Sequence, residues 1–193
     1  GSEMCIRDSF LTYIKSDGTQ DDITYRSFGL KCELLMQKFQ KSILHRKDRV
    51  LLLTPMAPFG CIAVTALAIS ELVSVVLNPQ LPEEELDSLV KKSDISGIVC
   101  DEEIYQKYAY KWTQKYPVFN IKTGDLFLDR EYFSEPSKDS DDVIAILYSS
   151  GTTSEPKGVM ITYEAQMKSA ELLLRAFGTN DIRYLLVLSL IHI

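Results

Sequence analysis

Short apolar runs alternate with longer amphipathic stretches along this chain. A short, continuously apolar run bounded by turn residues is typical of a strand buried in a parallel sheet, whereas apolar residues three or four positions apart indicate a helix. Runs of the first kind lie at 49–54, 72–79, 97–100, 117–121 and 143–148. The sequence therefore predicts buried strands at these positions.

Amphipathic stretches separate the predicted strands. Thr24 is a predicted N-cap for a helix over 25–44. Pro82 and the glutamates after it open a helix over 82–92 that ends on two lysines, which suits the helix dipole. Strand and helix thus alternate, which predicts an α/β fold with a mostly parallel sheet and helices on both faces. Further helices are predicted over 59–71, 103–116 and 163–177.

Some segments depart from this alternation. Residues 122–141 are rich in Gly, Pro, Ser and acidic residues, and we expect a surface connection there. The first nine residues, GSEMCIRDS, and the last six, LSLIHI, resemble translated vector sequence more than natural protein. The expected domain therefore runs over residues 10–187, with 1–9 as a non-native leader and 188–193 as a non-native tail.

Composition excludes several function classes. The net charge is −6 and the basic residues are scattered, which argues against a nucleic-acid partner. The four cysteines form no CxxC pair and the chain has only two histidines, so no metal site is predicted. The most apolar stretch, 59–77, is interrupted by polar residues, which argues against a transmembrane segment. With no secretory leader, a cytoplasmic location is expected.

The segment with candidate chemistry is YSSGTTSEPKG, residues 148–158. It follows a predicted buried strand, and the carboxyl end of such a strand is where α/β sheets bind anionic ligands. Its hydroxyls can donate hydrogen bonds, Gly151 and Gly158 permit close backbone approach, and Lys157 supplies a positive charge. These groups describe a polyphosphate-binding loop, although a solvated turn has a similar composition.

The residue order of this loop differs from a Walker A loop, GxxxxGK[ST]. A glycine comes after Lys157 where a Walker A loop has a serine or threonine, and the next segment, GVMIT, is predicted as a strand instead of a helix. A P-loop nucleotidase is therefore disfavoured.

The order of residues in the loop resembles the signature of the adenylate-forming (AMP-binding) superfamily, Ser/Thr-Ser/Thr-Gly-Thr/Ser-Thr-Gly-x-Pro-Lys-Gly. Ser154 replaces the second glycine of that signature. Segments similar to other family landmarks occur in order along the chain, including ITYRSF, KDRVLLL and LVSVVLNPQLPEEEL. The resemblance is strongest to acyl-CoA synthetases, coumarate-CoA-ligase-like enzymes and luciferases, and it implies that this chain is part of the large N-terminal domain of such an enzyme.

The resemblance implies a function and a set of site residues. Family members use ATP and magnesium to convert a carboxylic acid substrate into an acyl adenylate, which a thiol such as coenzyme A then attacks. His192 falls in a stretch similar to one that lines the acyl pocket of relatives, and it is an expected substrate contact. No catalytic residue and no metal ligand is expected within the chain. By analogy, the residues expected to bind the ATP phosphates are Ser149, Ser150, Gly151, Thr152, Thr153 and Lys157.

The resemblance also implies that much of the enzyme lies outside this chain. The later family motifs and the C-terminal lysine that promotes adenylation are absent, so we expect an N-terminal fragment that catalyses no turnover without the missing C-terminal part. A peroxisomal location would follow if that part carried a targeting signal. Two alternatives stay open, namely a peptide-synthetase adenylation domain and a non-catalytic nucleotide-binding or scaffold protein that retains the fold.

Overall fold

The computed structural model describes residues 9–15, 17–54, 56–121, 139, 141–148 and 156–177. A π-type turn, Met56–Gly60, precedes the second helix. The helices are α1 Tyr25–Gln40, α2 Cys61–Ile69, α3 Glu83–Lys92, α4 Glu102–Trp112 and α5 Tyr163–Phe177. The strands are β1 Ser9–Ile14, β2 Gln20–Thr24, β3 Arg49–Leu53, β4 Val73–Val76, β5 Gly97–Cys100, β6 Val118–Asn120, β7 Val143–Tyr148 and β8 Gly158–Thr162.

Most of the strands form one mixed sheet. Its six strands have the order β6-β5-β3-β4-β7-β8. The neighbours from β6 to β7 are parallel, and β8 pairs antiparallel with β7. β1 and β2 form a separate antiparallel hairpin. The predicted mostly parallel α/β sheet is thus confirmed.

Helices cover both faces of the sheet around β3. Val50 and Leu52 pack in a core with α1 and α2, whereas Leu51 and Leu53 pack in a second core with α3 and α4. All four side chains are at most 1% exposed. Because successive residues of a strand point to opposite faces, a continuously apolar run is what such a doubly covered strand needs.

The first predicted helix is confirmed, but it is shorter than expected. The backbone N–H of Ser27 donates to Thr24 Oγ1 at 3.1 Å, so Thr24 caps α1 as predicted. The helix ends at Gln40 instead of continuing to residue 44. Ser42 explains this, since its hydroxyl donates to the Phe39 carbonyl at 2.6 Å and accepts from the Leu44 N–H. Such local side-chain bonds compete with the helical ladder.

Three further features differ from the sequence-based expectations. The helix predicted to reach residue 116 ends at Trp112, where the chain turns so that the N–H groups of Lys115 and Tyr116 both donate to the Trp112 carbonyl. The β1–β2 hairpin was not predicted, and it begins at Ser9, a residue assigned to the leader. β7 is half-buried along its whole length instead of buried.

The described helices also bear on membrane insertion. Among residues whose placement is described, none forms a helix that combines the length and the apolar character needed to span a bilayer.

The surface connection expected over residues 122–141 lies mostly outside the described residues.

Candidate functional site

The carboxyl edge of the sheet carries polar residues after several strands, and this is the edge where α/β folds bind ligands. Asn78 follows β4, and its Oδ1 accepts a hydrogen bond from the Gln80 N–H at 2.9 Å. Asp101 follows β5, and its Oδ1 accepts from the Ile104 N–H at 2.9 Å, which caps α4. Both side chains therefore stabilise the local turn of the backbone.

The candidate loop occupies the same edge between β7 and β8. Tyr148, the last residue of β7, pairs directly with Gly158, the first residue of β8. Residues 149–157 therefore connect two strand ends that lie side by side, about 5 Å apart. The sequence predicted both strands, and the structure shows that they form an antiparallel hairpin whose connection is this segment.

Lys157 is the predicted phosphate ligand that lies within the described residues. Its side chain is exposed, and the residue directly precedes Gly158, which pairs with Tyr148 at the base of the hairpin. An exposed ammonium at this position can approach an anion held by the loop. The other predicted site residues lie outside the described part of the chain, and their roles stay predictions: Ser149, Ser150, Gly151, Thr152, Thr153 and His192.

The structure gives Gly158 a role that the sequence did not indicate. A Cβ atom at this position would lie 3.0 Å from Ile146 Cγ2 and 3.5 Å from Tyr148 Cζ. Close approach of a ligand at this glycine stays a prediction, and the structure adds that a side chain here would crowd Ile146 of β7. Only the strand register reveals this contact, because it places the glycine opposite Tyr148.

The three thiols among the described residues, Cys32, Cys61 and Cys100, are not reactive nucleophiles. Burial raises the pKa of Cys32 and of Cys100 to about 12, and it raises the pKa of Cys61 as well. Thiols with raised pKa values are protonated at neutral pH and react slowly. Among the described residues, no group of three or more histidine, cysteine or acidic side chains could hold a metal ion.

Comparison with known families identifies the family to which this chain belongs. The family model described as AMP-binding enzyme matches residues 7–193. This chain belongs to the AMP-binding enzyme family. The superfamily predicted from the loop signature is thus confirmed, and the match extends over all the elements of the sheet.

Two relatives of different kinds match this chain with nearly the same sequence identity. 4-Coumarate–CoA ligase 2 of Petroselinum crispum is 26% identical over 162 residues, which cover 78% of this chain and 30% of the ligase. Malformin synthetase mlfA of Aspergillus vadensis is 25% identical over 156 residues, which cover 81% of this chain and 3% of the synthetase. The chain therefore spans a minor part of the length of these relatives.

Solved structures confirm the fold. O-succinylbenzoate coenzyme A synthetase (MenE) from Bacillus subtilis, in complex with ATP and magnesium ion, superposes with a TM-score of 0.72 at 19% identity. The match covers 89% of this chain and 46% of MenE. At this identity the similarity establishes the shared α/β architecture.

Proposed function

We propose that this chain carries the ATP-phosphate-binding loop of an enzyme that activates a carboxylic acid as an acyl adenylate. The observation that carries the proposal is the β7–β8 hairpin. Tyr148 and Gly158 are paired at its base, and a connection rich in hydroxyl residues ends in the exposed Lys157. Membership of the AMP-binding enzyme family supports this role.

The chemistry of adenylation explains why the loop has these residue types. When a carboxylate attacks the α-phosphate of ATP, pyrophosphate leaves, and the charge on its oxygens must be stabilised. Lys157 would neutralise part of that charge, and hydroxyl or backbone donors from Ser149, Ser150, Gly151, Thr152 and Thr153 would orient the β- and γ-phosphates. In this scheme the loop residues position the phosphates, and none of them acts as a nucleophile.

Magnesium would enter the site with the nucleotide. Mg²⁺ in such sites usually binds phosphate oxygens and water, with only one or two protein ligands. ATP-bound and magnesium-bound MenE supports the use of both by this fold.

The second half-reaction is where the two classes of relative differ. We infer an acyl-CoA product because the loop and its flanking segments resemble acyl-CoA synthetases most, but a peptide-synthetase adenylation domain would use the same loop. In the segment LNPQLPEEEL, Asn78 stands where a peptide-synthetase adenylation domain more usually has aspartate, and it forms a turn through a side-chain oxygen that an aspartate also has. The residue therefore does not discriminate between the two classes, and coenzyme A remains a proposed co-substrate.

Binding of polyphosphate provides a direct test. We expect the 193-residue chain to bind ATP and inorganic tripolyphosphate, and Lys157→Ala to weaken both about tenfold, as expected for loss of one charge-assisted contact. Isothermal titration calorimetry at low salt would measure the two dissociation constants. The matched control is Lys115→Ala, which removes an exposed lysine from the turn after α4.

Two results would contradict the proposal. One is a wild-type chain that binds neither ligand, and the other is an equal loss of affinity in both lysine variants. ATP/pyrophosphate exchange with a panel of carboxylic acids is a separate measurement. We expect none from this chain alone, and robust exchange would show that the machinery for adenylation lies within it.

A further inference from the structure

Tyr148 connects the candidate loop to a helix on one face of the sheet. The residue ends β7, and its side chain packs against the core formed with α3 and α4. Its hydroxyl oxygen lies 3.0 Å from Ser93 Oγ, at the carboxyl end of α3. A residue next to the loop is thereby joined to a helix far away in the sequence.

Two further hydrogen bonds hold Ser93 in place. The Ser93 hydroxyl donates to the Leu89 carbonyl at 2.6 Å, and the Ser93 carbonyl accepts from Arg49 Nη1 at 3.2 Å. The Ser93 hydroxyl also donates to the Tyr148 hydroxyl oxygen, so its one proton is shared between that oxygen and the Leu89 carbonyl. Ser93 is only 3% exposed, and a buried hydroxyl bond of this kind is shielded from competing water.

The other end of the loop begins beside the same tyrosine ring. Gly158 pairs with Tyr148 in the ladder, and a Cβ atom at Gly158 would lie 3.5 Å from Tyr148 Cζ, which is an ordinary contact distance. The Tyr148 ring therefore lies next to the first residue of β8, while its hydroxyl contacts Ser93 at the end of α3. Tyr148 thus adjoins both of the strand ends that flank the loop.

We propose that Tyr148 is a positioning residue for the phosphate-binding loop. Through its contact with Ser93, Tyr148 fixes the two strand ends that residues 149–157 connect. This inference rests on the proposed function, because it assigns Tyr148 the task of holding phosphate donors in place. Lys157 is separated from Gly158 by a single peptide bond, so a shift of this strand end moves the lysine directly. The hydroxyl of Tyr148 acts through Ser93 and is not expected to contact the nucleotide.

Removal of the tyrosine hydroxyl tests the assignment. We expect Tyr148→Phe to raise the dissociation constant for tripolyphosphate about three- to tenfold, the effect of one lost hydrogen bond that orders the site. Ser93→Ala should weaken binding to a similar extent, and the double variant should be no weaker than the worse single variant, because the two act through one contact. Calorimetry on the 193-residue chain measures all three.

A matched control separates positioning from general stability. Thr24→Ala removes the hydroxyl that caps α1, on the other core, and it should destabilise the fold without changing tripolyphosphate affinity. A second measurement needs no ligand. Amide hydrogen exchange at the last residues of β7 and the first residues of β8 should be faster in Tyr148→Phe than in the wild type.

The possible outcomes distinguish this inference from the proposed function. If the wild type binds tripolyphosphate and Tyr148→Phe binds equally well, the positioning role is wrong while the proposed function stands. Unchanged amide exchange in Tyr148→Phe would contradict the anchoring even without any ligand. If the wild type fails to bind, the proposed function fails and the positioning role fails with it.

Discussion

Ser74 lies in the middle of the sheet with its hydroxyl buried. The residue is 0% exposed, and within the described structure its Oγ has no hydrogen-bond partner. Its neighbours in the ladder are Val50 and Ala145, which offer no side-chain acceptor. A hydroxyl that loses its bonds to water on folding, with no replacement, opposes folding by about 1–3 kcal/mol.

This leads to a prediction for the Ser74→Ala substitution. We expect the free energy of unfolding to stay unchanged or to rise by about 1 kcal/mol, since an unpaired polar atom is removed at the cost of only a small void. Thr24→Ala is the comparison, because it removes a hydroxyl that is bonded and should lower stability by about 1 kcal/mol. Urea unfolding of both variants measures the difference. A larger loss for Ser74→Ala than for Thr24→Ala would contradict the reasoning.

Also at the scale of residues, the sequence predicted the residue types of the site, but it did not predict which residues contact one another. Lys157 and the hydroxyl residues stood out because each has a chemical property that an anion requires. Tyr148 did not stand out, since its role depends on Ser93, a residue brought close only by the packing of α3 against the sheet. The contact of Gly158 with Ile146 was not predicted, because the neighbours of a strand residue are set by strand register.

At the scale of elements, an ionic cluster joins β7 to the turn before β3. Lys47 Nζ lies 2.6 Å from Asp142 Oδ1, and Arg46 Nε lies 2.8 Å from Glu71 Oε2. The Asp142 carbonyl also accepts a hydrogen bond from the N–H of Tyr163, the first residue of α5, at 2.8 Å. Asp142 therefore links the start of β7 both to the rest of the sheet and to the last described helix.

The pH dependence of stability should report this cluster. The hydrogen bond from Lys47 lowers the pKa of Asp142 below its ordinary value of 3.8. Since the folded-state pKa is the lower one, the contribution is complete above pH 3.8 and is lost as the pH falls through the folded-state pKa. Asp142→Asn should thus lower the urea midpoint at pH 7, and the difference from wild type should shrink in strong acid.

Lys47→Met provides the partner variant for this test. It removes the donor of the same hydrogen bond, so the loss in the double variant should be smaller than the sum of the two single losses. A difference between wild type and Asp142→Asn that is constant from pH 7 into strong acid would show that the carboxylate contributes by some means other than its charge.

The elements themselves were largely predictable, and the exceptions have local causes. The strands of the parallel sheet were clear because a strand covered on both faces, such as β3, must be apolar throughout. β1 and β2 were missed because both are mostly exposed, so neither has the continuous apolar run of a buried strand. The end of α1 was misplaced because it is set by Ser42, whose bond to the Phe39 carbonyl is not visible in the periodicity.

At the scale of the whole molecule, apolar side chains are exposed along β8 and α5. Met160 is 67% exposed and Leu172 is 64% exposed. Clusters of exposed apolar groups are unusual on soluble monomers and commonly mark surfaces that are covered by other protein. The chain spans 30% of the length of the coumarate ligase that it matches. The exposed set consists of Val159, Met160, Met167, Leu172, Leu173 and Leu174.

We therefore expect the purified 193-residue chain to self-associate through β8 and α5. Its apparent mass in size-exclusion chromatography with light scattering should rise with concentration in the micromolar range, and Met160→Lys combined with Leu173→Lys should reduce the rise, because burying either ammonium in an apolar contact is costly. Ile43→Lys is the control, since Ile43 is 75% exposed but lies after α1, outside this set. A strictly monomeric wild type, or an equal effect of Ile43→Lys, would show that this surface does not drive association.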